Sequence, residues 1–227
     1  MTTSTHRRDS VVLGAAVGLV GVTFGVLAST ADLSFAKAMA MSLLVFTGAS
    51  QFAAVGIADS GGSPVSAVGA GLLLGARNSL YGMRLSERLA AAGWKRIPGA
   101  QWVIDETTAM SVAQDDEVAA TEAFWWTGAA LFTFWNLGTA VGVLLGDVIG
   151  DPNVWGLDAA FPASFVALLG PHFASAPARV AGLVGAATAI VAVPFTPAGA
   201  PILLAALAIV PALFVHEGTA ADPGVEQ

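Results

Sequence analysis

Cysteine is absent from all 227 residues, which excludes disulfides and thiolate chemistry and leaves the compartment open. Charge is scarce as well: only 11% of residues are charged, and Lys37 and Lys95 are the only lysines. Nine basic residues against sixteen acidic ones give a formal charge of −7, so the basic face that nucleic acid requires is missing. No HExxH, GxSxG or phosphate-binding P-loop pattern occurs. The sequence therefore lends no support to an enzyme, to nucleotide-driven work, or to a metal or other cofactor.

What is there in quantity is apolar. Hydrophobic residues make up 56% of the chain and the mean hydropathy is +0.74, outside the balance of soluble domains. Apolar runs fall at about Val11–Ala28, Phe35–Ala58, Val65–Tyr81, Ala123–Leu145, Ala159–Leu169, Val180–Val193 and Ile202–Val215. Several reach the roughly 18 to 20 residues that cross a lipid bilayer. They predict an all-α fold: a polytopic integral membrane bundle forming one domain over residues 1–227, with six or seven membrane segments, some broken or re-entrant. The first run is long, follows Arg7 and Arg8, and has no small-residue cleavage site closing a short apolar core. It reads as a retained helix with a cytoplasmic N-terminus.

Helix starts are marked by Ser34, by Ser63 followed by Pro64, and by Asp158, residues whose side chains or fixed φ suit a first turn. Trp94, Trp102, Trp125, Trp126 and Trp155 cluster near run ends, where an indole suits the headgroup level. The longest hydrophilic interval, residues 82–121, separates a possible repeat of two halves at about 11–81 and 123–215. The pattern Gly-x-x-x-Gly-Val-Leu occurs once in each, from Gly21 to Leu27 and from Gly138 to Leu144. Such a repeat fits the two-halved construction of secondary transporters, and the same spacing also fits close helix packing.

The basic residues set a topological problem. Arg7 and Arg8 precede the first run, whereas Arg84, Arg88, Lys95 and Arg96 follow the third, and both clusters should face the cytoplasm. Three full crossings cannot do that. Either one of the first three segments returns to the side it came from, or the charge rule fails for one cluster.

Polar residues inside the apolar runs are the candidates for function, because each is costly in hydrocarbon unless paired or facing a cavity. In "VFTGASQFAAVG" these are Thr47, Ser50 and Gln51, with Gly48 and Ala49 leaving room for a break whose freed amides would hold an anion. Bonds back to their own helix would be the structural alternative. Arg77 interrupts the third run and needs a carboxylate, carbonyls or a path to the interface, and Asn78 beside it supplies donors and acceptors. Asp105 and Glu106 in "QWVIDETTAM" are its natural partners. About 100° apart on a helix, they allow one to face Arg77 while the other faces water and carries a proton. His172 and His216, at the ends of later runs, read as interfacial.

At these residues the chain resembles the AzlC-type branched-chain amino acid permease family. The resemblance lies in "FTGASQFAAVGI" (46–57), in Arg77-Asn78 followed by "SLYGMRLSERL", in "DETTAM" (105–110) and in "GLDAAFPASFVALL" (156–169), in matching order and spacing. Ser79 and Leu80 stand where family members often carry a second arginine or a histidine. The resemblance implies a permease subunit that works with a small AzlD-like membrane partner to export branched-chain and similar hydrophobic amino acids across the cytoplasmic membrane of a prokaryote. On that reading, Phe46, Phe52 and nearby small residues take the aliphatic side chain, and Thr47 to Gln51 with Arg77 and Asn78 line the path. Asp105 or Glu106 couples it to the proton gradient. The competing reading is a non-transporting membrane scaffold or channel subunit whose polar residues only hold helices together.

Overall fold

The computed structural model describes residues 3–89, 93–149, 166, 173 and 175–215, and no strand occurs among them. They belong to two compact units, residues 1–164 and 165–227. Three helical stretches among the described residues are long and apolar enough to cross a membrane: Thr5–Thr30, Glu117–Gly146 and Ala176–Phe195. The sequence segment 156–169 (apart from Val166), its cap Asp158, Trp155, His172 and His216 lie outside the described residues.

The first unit contains α1 (Thr3–Thr30), α2 (Phe35–Leu44), α3 (Gly48–Asp59), α4 (Pro64–Gly75), α5 (Arg77–Leu89), α6 (Arg96–Gln101), α7 (Asp105–Val112) and α8 (Glu117–Ile149). Its spine is the pair α1 and α8. His6 faces Glu122, Ser10 bonds Thr127, Gly14 lies on Ala130, and Ser29 lies on Gly146, so the two helices run parallel. Small residues make the pair possible. A methyl group on Gly25, Gly138 or Gly142 would collide with the backbone carbonyl of Thr139, Gly18 or Val22 respectively. Backbones approach this closely only where side chains are missing, the usual way membrane helices associate without a hydrophobic driving force. Both Gly-x-x-x-Gly motifs of the sequence lie in this one seam, Gly21 and Gly25 on α1 against residues 135–142 of α8.

The run Phe35–Ala58 does not continue as one helix. Phe46 has a left-handed φ of 42° and Thr47 is extended, so α2 ends and α3 starts afresh at Gly48. The bend lies beside the middle of α8: Ser42 bonds Thr139, the Phe46 ring meets Phe132, and Phe52 packs back on Phe24 and Trp135. From that bend α3 returns toward the end from which α2 came, and α2–α3 is a hairpin. The next segment, α4, opens on the Ser63 cap and Pro64. It runs antiparallel to α3, is interrupted at Ala76 and carries on as α5 to the starting end of the spine, where Leu85 packs with Phe124 and Val103. A second hairpin enters from that same end. Gly99 faces Trp125 and Trp102 lies on Gly128 and Phe132, deeper along α8, whereas Val112 is back beside Phe124.

Because α2–α3 turns back, Arg84 and Lys95 come to the same end of the spine as Arg7, which pairs with Glu122 and covers Trp126 at 5.2 Å. Of the tryptophans read as anchors, Trp94 is exposed, while Trp102 and Trp125 meet edge to face at 5.7 Å and help seat the second hairpin on α8.

The second unit holds α9 (Ala176–Ala192), capped by the Ser175 hydroxyl, which accepts from the Ala178 amide at 3.3 Å. A 3₁₀ turn over Val193–Phe195 follows. Gly199, at φ 92°, redirects the chain into the short α10 (Ala200–Ala205) and α11 (Ile209–Ala212), which fold back so that Ala205 and Ala208 face Gly185.

Candidate functional site

Three interruptions meet at one place in the first unit: the α2–α3 bend, the α4–α5 junction and the α6–α7 bend. A break at this depth leaves carbonyls and amides that lipid cannot satisfy, each costing several kcal/mol if orphaned. Two glutamines bond carbonyls at the end of α2, one of which, Met41 O, also holds the Val45 amide. Gln51 Nε2 donates to Met41 O at 2.8 Å, and Gln101 Nε2, arriving from α6, donates to Leu43 O at 3.1 Å and Leu44 O at 2.8 Å. The amides at the start of α3 are treated differently. Thr47 occupies the N-cap position but gives them no side-chain bond, its hydroxyl instead accepting from Asn78 Nδ2 at 3.1 Å. The first turn of α3 therefore keeps donors and a positive dipole end for something else.

That turn borders a cavity of about 810 Å³ between α2, α3 and α4. Its polar end carries Thr47, Ser50, Asn78 and Ser79; the rest is apolar, with Met41, Val55 and Leu72 among the walls. Ser50 Oγ donates to Gly71 O at 2.8 Å, tying α3 to α4 across the cavity. A few ångströms of chain further on, Arg77 Nη2 lies 2.8 Å from Asp105 Oδ2, and Asp105 Oδ1 has no partner among the described residues. The pairing expected from the sequence is present, and Asp105 takes it because α7 begins there, at the tip of its hairpin.

The eleven residues singled out by sequence separate into groups. Thr47, Ser50 and Asn78 reach the cavity. Arg77 and Asp105 form the ion pair beside it. Phe46 and Phe52 are turned the other way, into the rings of Phe132, Phe24 and Trp135, so they pack the bend against the spine and contribute nothing to the cavity wall. Gly48 faces the Trp135 ring, Ala49 is buried, and Gln51 is wholly buried with its amide spent on α2. Sequence reasoning overlooked Gln101. Its only signal was a glutamine at the end of a short helix in the polar interval, and nothing in its neighbours marks the carbonyls it serves.

Glu106 lies half-buried on α7, outside the three membrane-length helices. Burial pushes its carboxyl above the ordinary value of 4.5; its own backbone amide pulls back, Asp105 adds to the rise and Arg77 subtracts from it. Folding thus favours the protonated form. This contribution to stability is present below the unfolded value and is lost as pH climbs through the raised one. Glu106→Gln is expected to melt with wild type at pH 4 and above it at pH 8. A melting difference that does not change between those two pH values would contradict this.

The sequence matches the AzlC protein family over residues 12–149, which takes in α1 from its third turn onward and everything to the end of α8. The protein belongs to the AzlC family. Among its relatives is an uncharacterized membrane protein of Archaeoglobus fulgidus, 36% identical over 168 residues, 71% of this chain and 72% of that protein. An uncharacterized membrane protein of Helicobacter pylori strain J99 is 27% identical over 152 residues, and the match spans 66% of either chain. The branched-chain amino acid transport protein AzlC of Bacillus subtilis is 21% identical over 151 residues, 66% of this chain and 59% of that protein. No solved structure matches the chain. Its AzlC membership, its membrane-protein relatives and its apolar helices make it a membrane protein. The cavity, the ion pair and both hairpins all lie within the family match.

Proposed function

We propose that this AzlC-family protein is the large subunit of a secondary transporter that exports branched-chain and similar hydrophobic amino acids across the cytoplasmic membrane of a prokaryote. Proton-gradient drive and a small AzlD-like membrane partner belong to the same proposal. The observation that carries it is the cavity, whose one polar end sits at the open first turn of α3 and whose remaining walls are apolar. An aliphatic zwitterion has that same division. Its carboxylate would meet the Ser50 amide and the Thr47 and Asn78 side chains at that polar end, a helix start being a ready anion site, and its side chain would lie against Met41, Val55 and Leu72. The name of the Bacillus subtilis relative supports the substrate class.

Coupling would work through the carboxylates beside the cavity. With Asp105 ionised, Arg77 is held at the tip of α7; protonation of Asp105 would remove that hold and free the guanidinium. The acidic pair would then gain a proton on one side of the membrane and release it on the other.

Proteoliposomes loaded with labelled leucine test this reading, with and without the small partner, under an imposed proton gradient. Efflux that needs both gradient and partner is the expected result. No efflux from folded protein in either preparation would instead favour the scaffold or channel reading, in which hydroxyl pairs such as Ser42–Thr139 and Ser10–Thr127 represent the general use of polar residues here.

A further inference from the structure

The links around the polar end of the cavity close on themselves. Gln101 binds the carbonyls of Leu43 and Leu44. Three residues of chain lead from Leu44 to Thr47, whose hydroxyl accepts from Asn78. Asn78 adjoins Arg77, which pairs with Asp105. Four residues of chain lead from Asp105 back to Gln101. The result is a ring of three non-covalent links joined by three short stretches of backbone, and each stretch belongs to a different one of the interrupted segments.

We propose that Gln101 and Asp105 act as one coupling element: the α6–α7 hairpin tip holds the α2–α3 bend through Gln101 and the α4–α5 junction through Asp105, so that a change at the ion pair reaches Thr47 from both sides. Gln101 is a positioning residue in this scheme. It does not line the cavity, and it acts on Thr47 by fixing the end of α2. The two hairpins enter the spine from opposite ends and touch at Gln101. The tips are also packed together through Leu85 with Val103 and through the Phe132 ring, which Phe46 and Trp102 share. Thr107 Oγ1 accepts from the Ile104 amide and donates to Trp102 O at 2.6 Å, which stiffens the α6–α7 tip itself. Movement of Asp105 is thereby passed to Gln101 and not lost in a slack turn.

The transport role of this element rests on the function proposed above, but the ring is testable without it. Hydrogen exchange would be followed by mass spectrometry on the full chain in lipid nanodiscs, with no amino acid present. The informative amides are Val45, bonded to Met41 O, and Ser79, bonded to Ala76 O. Gln101→Leu is expected to speed exchange in peptides covering both 42–48 and 76–80 by roughly tenfold, about the worth of one net hydrogen bond of local stability, and to leave α1 and α8 unchanged. Asp105→Asn should do the same. The double variant should add little to either single change, because a ring opens only once. An effect of Gln101→Leu confined to 42–48, or a double variant whose effects multiply, would overturn the proposal. Gln101→Asn, too short to span both carbonyls, provides the same reading if the leucine variant does not fold. A protein that moves no leucine would leave this test intact, and an independent pair of links would leave the transport reading standing.

Discussion

Gly142→Leu will yield no folded protein. A first side-chain carbon at that position would collide with the Val22 carbonyl and reach within 2.9 Å of the Gly25 Cα, both backbone atoms that no rotamer change can move. The helices would have to separate along the seam, exposing the paired faces of residues 14–29 and 130–146. Overpacking in an ordinary core costs about 1–3 kcal/mol because side chains give way. Here the obstruction is main chain and involves the longest contact in the unit, so the loss should exceed the roughly 5–15 kcal/mol that holds a domain together. Size-exclusion chromatography and thermal melting of detergent-purified protein would show it as aggregation and absence of a transition. Gly82→Ala is the control. No atom lies within 4 Å of a methyl group there, and an alanine in mid-helix should raise stability by about 0.5–1 kcal/mol. A Gly142→Leu protein that melts within a few degrees of wild type would remove the seam from its central place in the fold.

The second large effect concerns transport. Arg77→Ala should reduce gradient-driven leucine efflux roughly hundredfold, and Asp105→Asn combined with Glu106→Gln should do so too. Breaking a buried ion pair by removing one partner costs about 3–5 kcal/mol because the other charge is stranded. The side chains here are 36% and 22% exposed, so the stability cost falls between that range and the roughly 0–1 kcal/mol of a surface pair, and the loss of efflux comes from removing the coupling charge. Arg77→Ala leaves Asp105 at a helix start, where the α7 dipole still favours the anion, so the protein should remain folded while losing its counter-ion. Efflux at wild-type rates from both variants would sink the proposed roles of Arg77 and the carboxylates.

Much of the frame was legible in the sequence, for reasons that differ by element. Helix starts at Ser34 and Ser63 are local chemistry: a hydroxyl accepts from the amide three residues on, whatever the rest of the chain does. The Arg77–Asp105 pair was legible because a guanidinium in an apolar run has few possible partners and the sequence offered one acidic doublet nearby. The turning back of α2–α3 was legible only as a conflict between two basic clusters. Hydropathy could not reveal it, since residues 35–58 stay predominantly apolar on both sides of the bend and the residue that bends is Phe46, a phenylalanine adopting a conformation usually left to glycine. Gly48, which the sequence marks as the flexible point, is instead the first residue of the new helix. The roles of Phe46, Phe52 and Gln51 depended on which way the bend faces, and that is decided by Trp135 and Phe24 far away in the chain. Gln101 had no local signal because its acceptors are backbone atoms exposed by a break in another segment.

The parallel seam between α1 and α8 also has a consequence for how the protein is made. Gly25 and Gly142 are separated by 117 positions, and a ribosome adding about 5–20 residues per second needs roughly 6 to 23 s to cover them. For that interval the first helix sits in the membrane with its glycine face against lipid, while both hairpins, whose bends rest on α8, have nothing to close on. The unit thus cannot assemble progressively from its N-terminus. Its first helix to be inserted is among the last to be packed, and the arrival of α8 is the event that closes the fold.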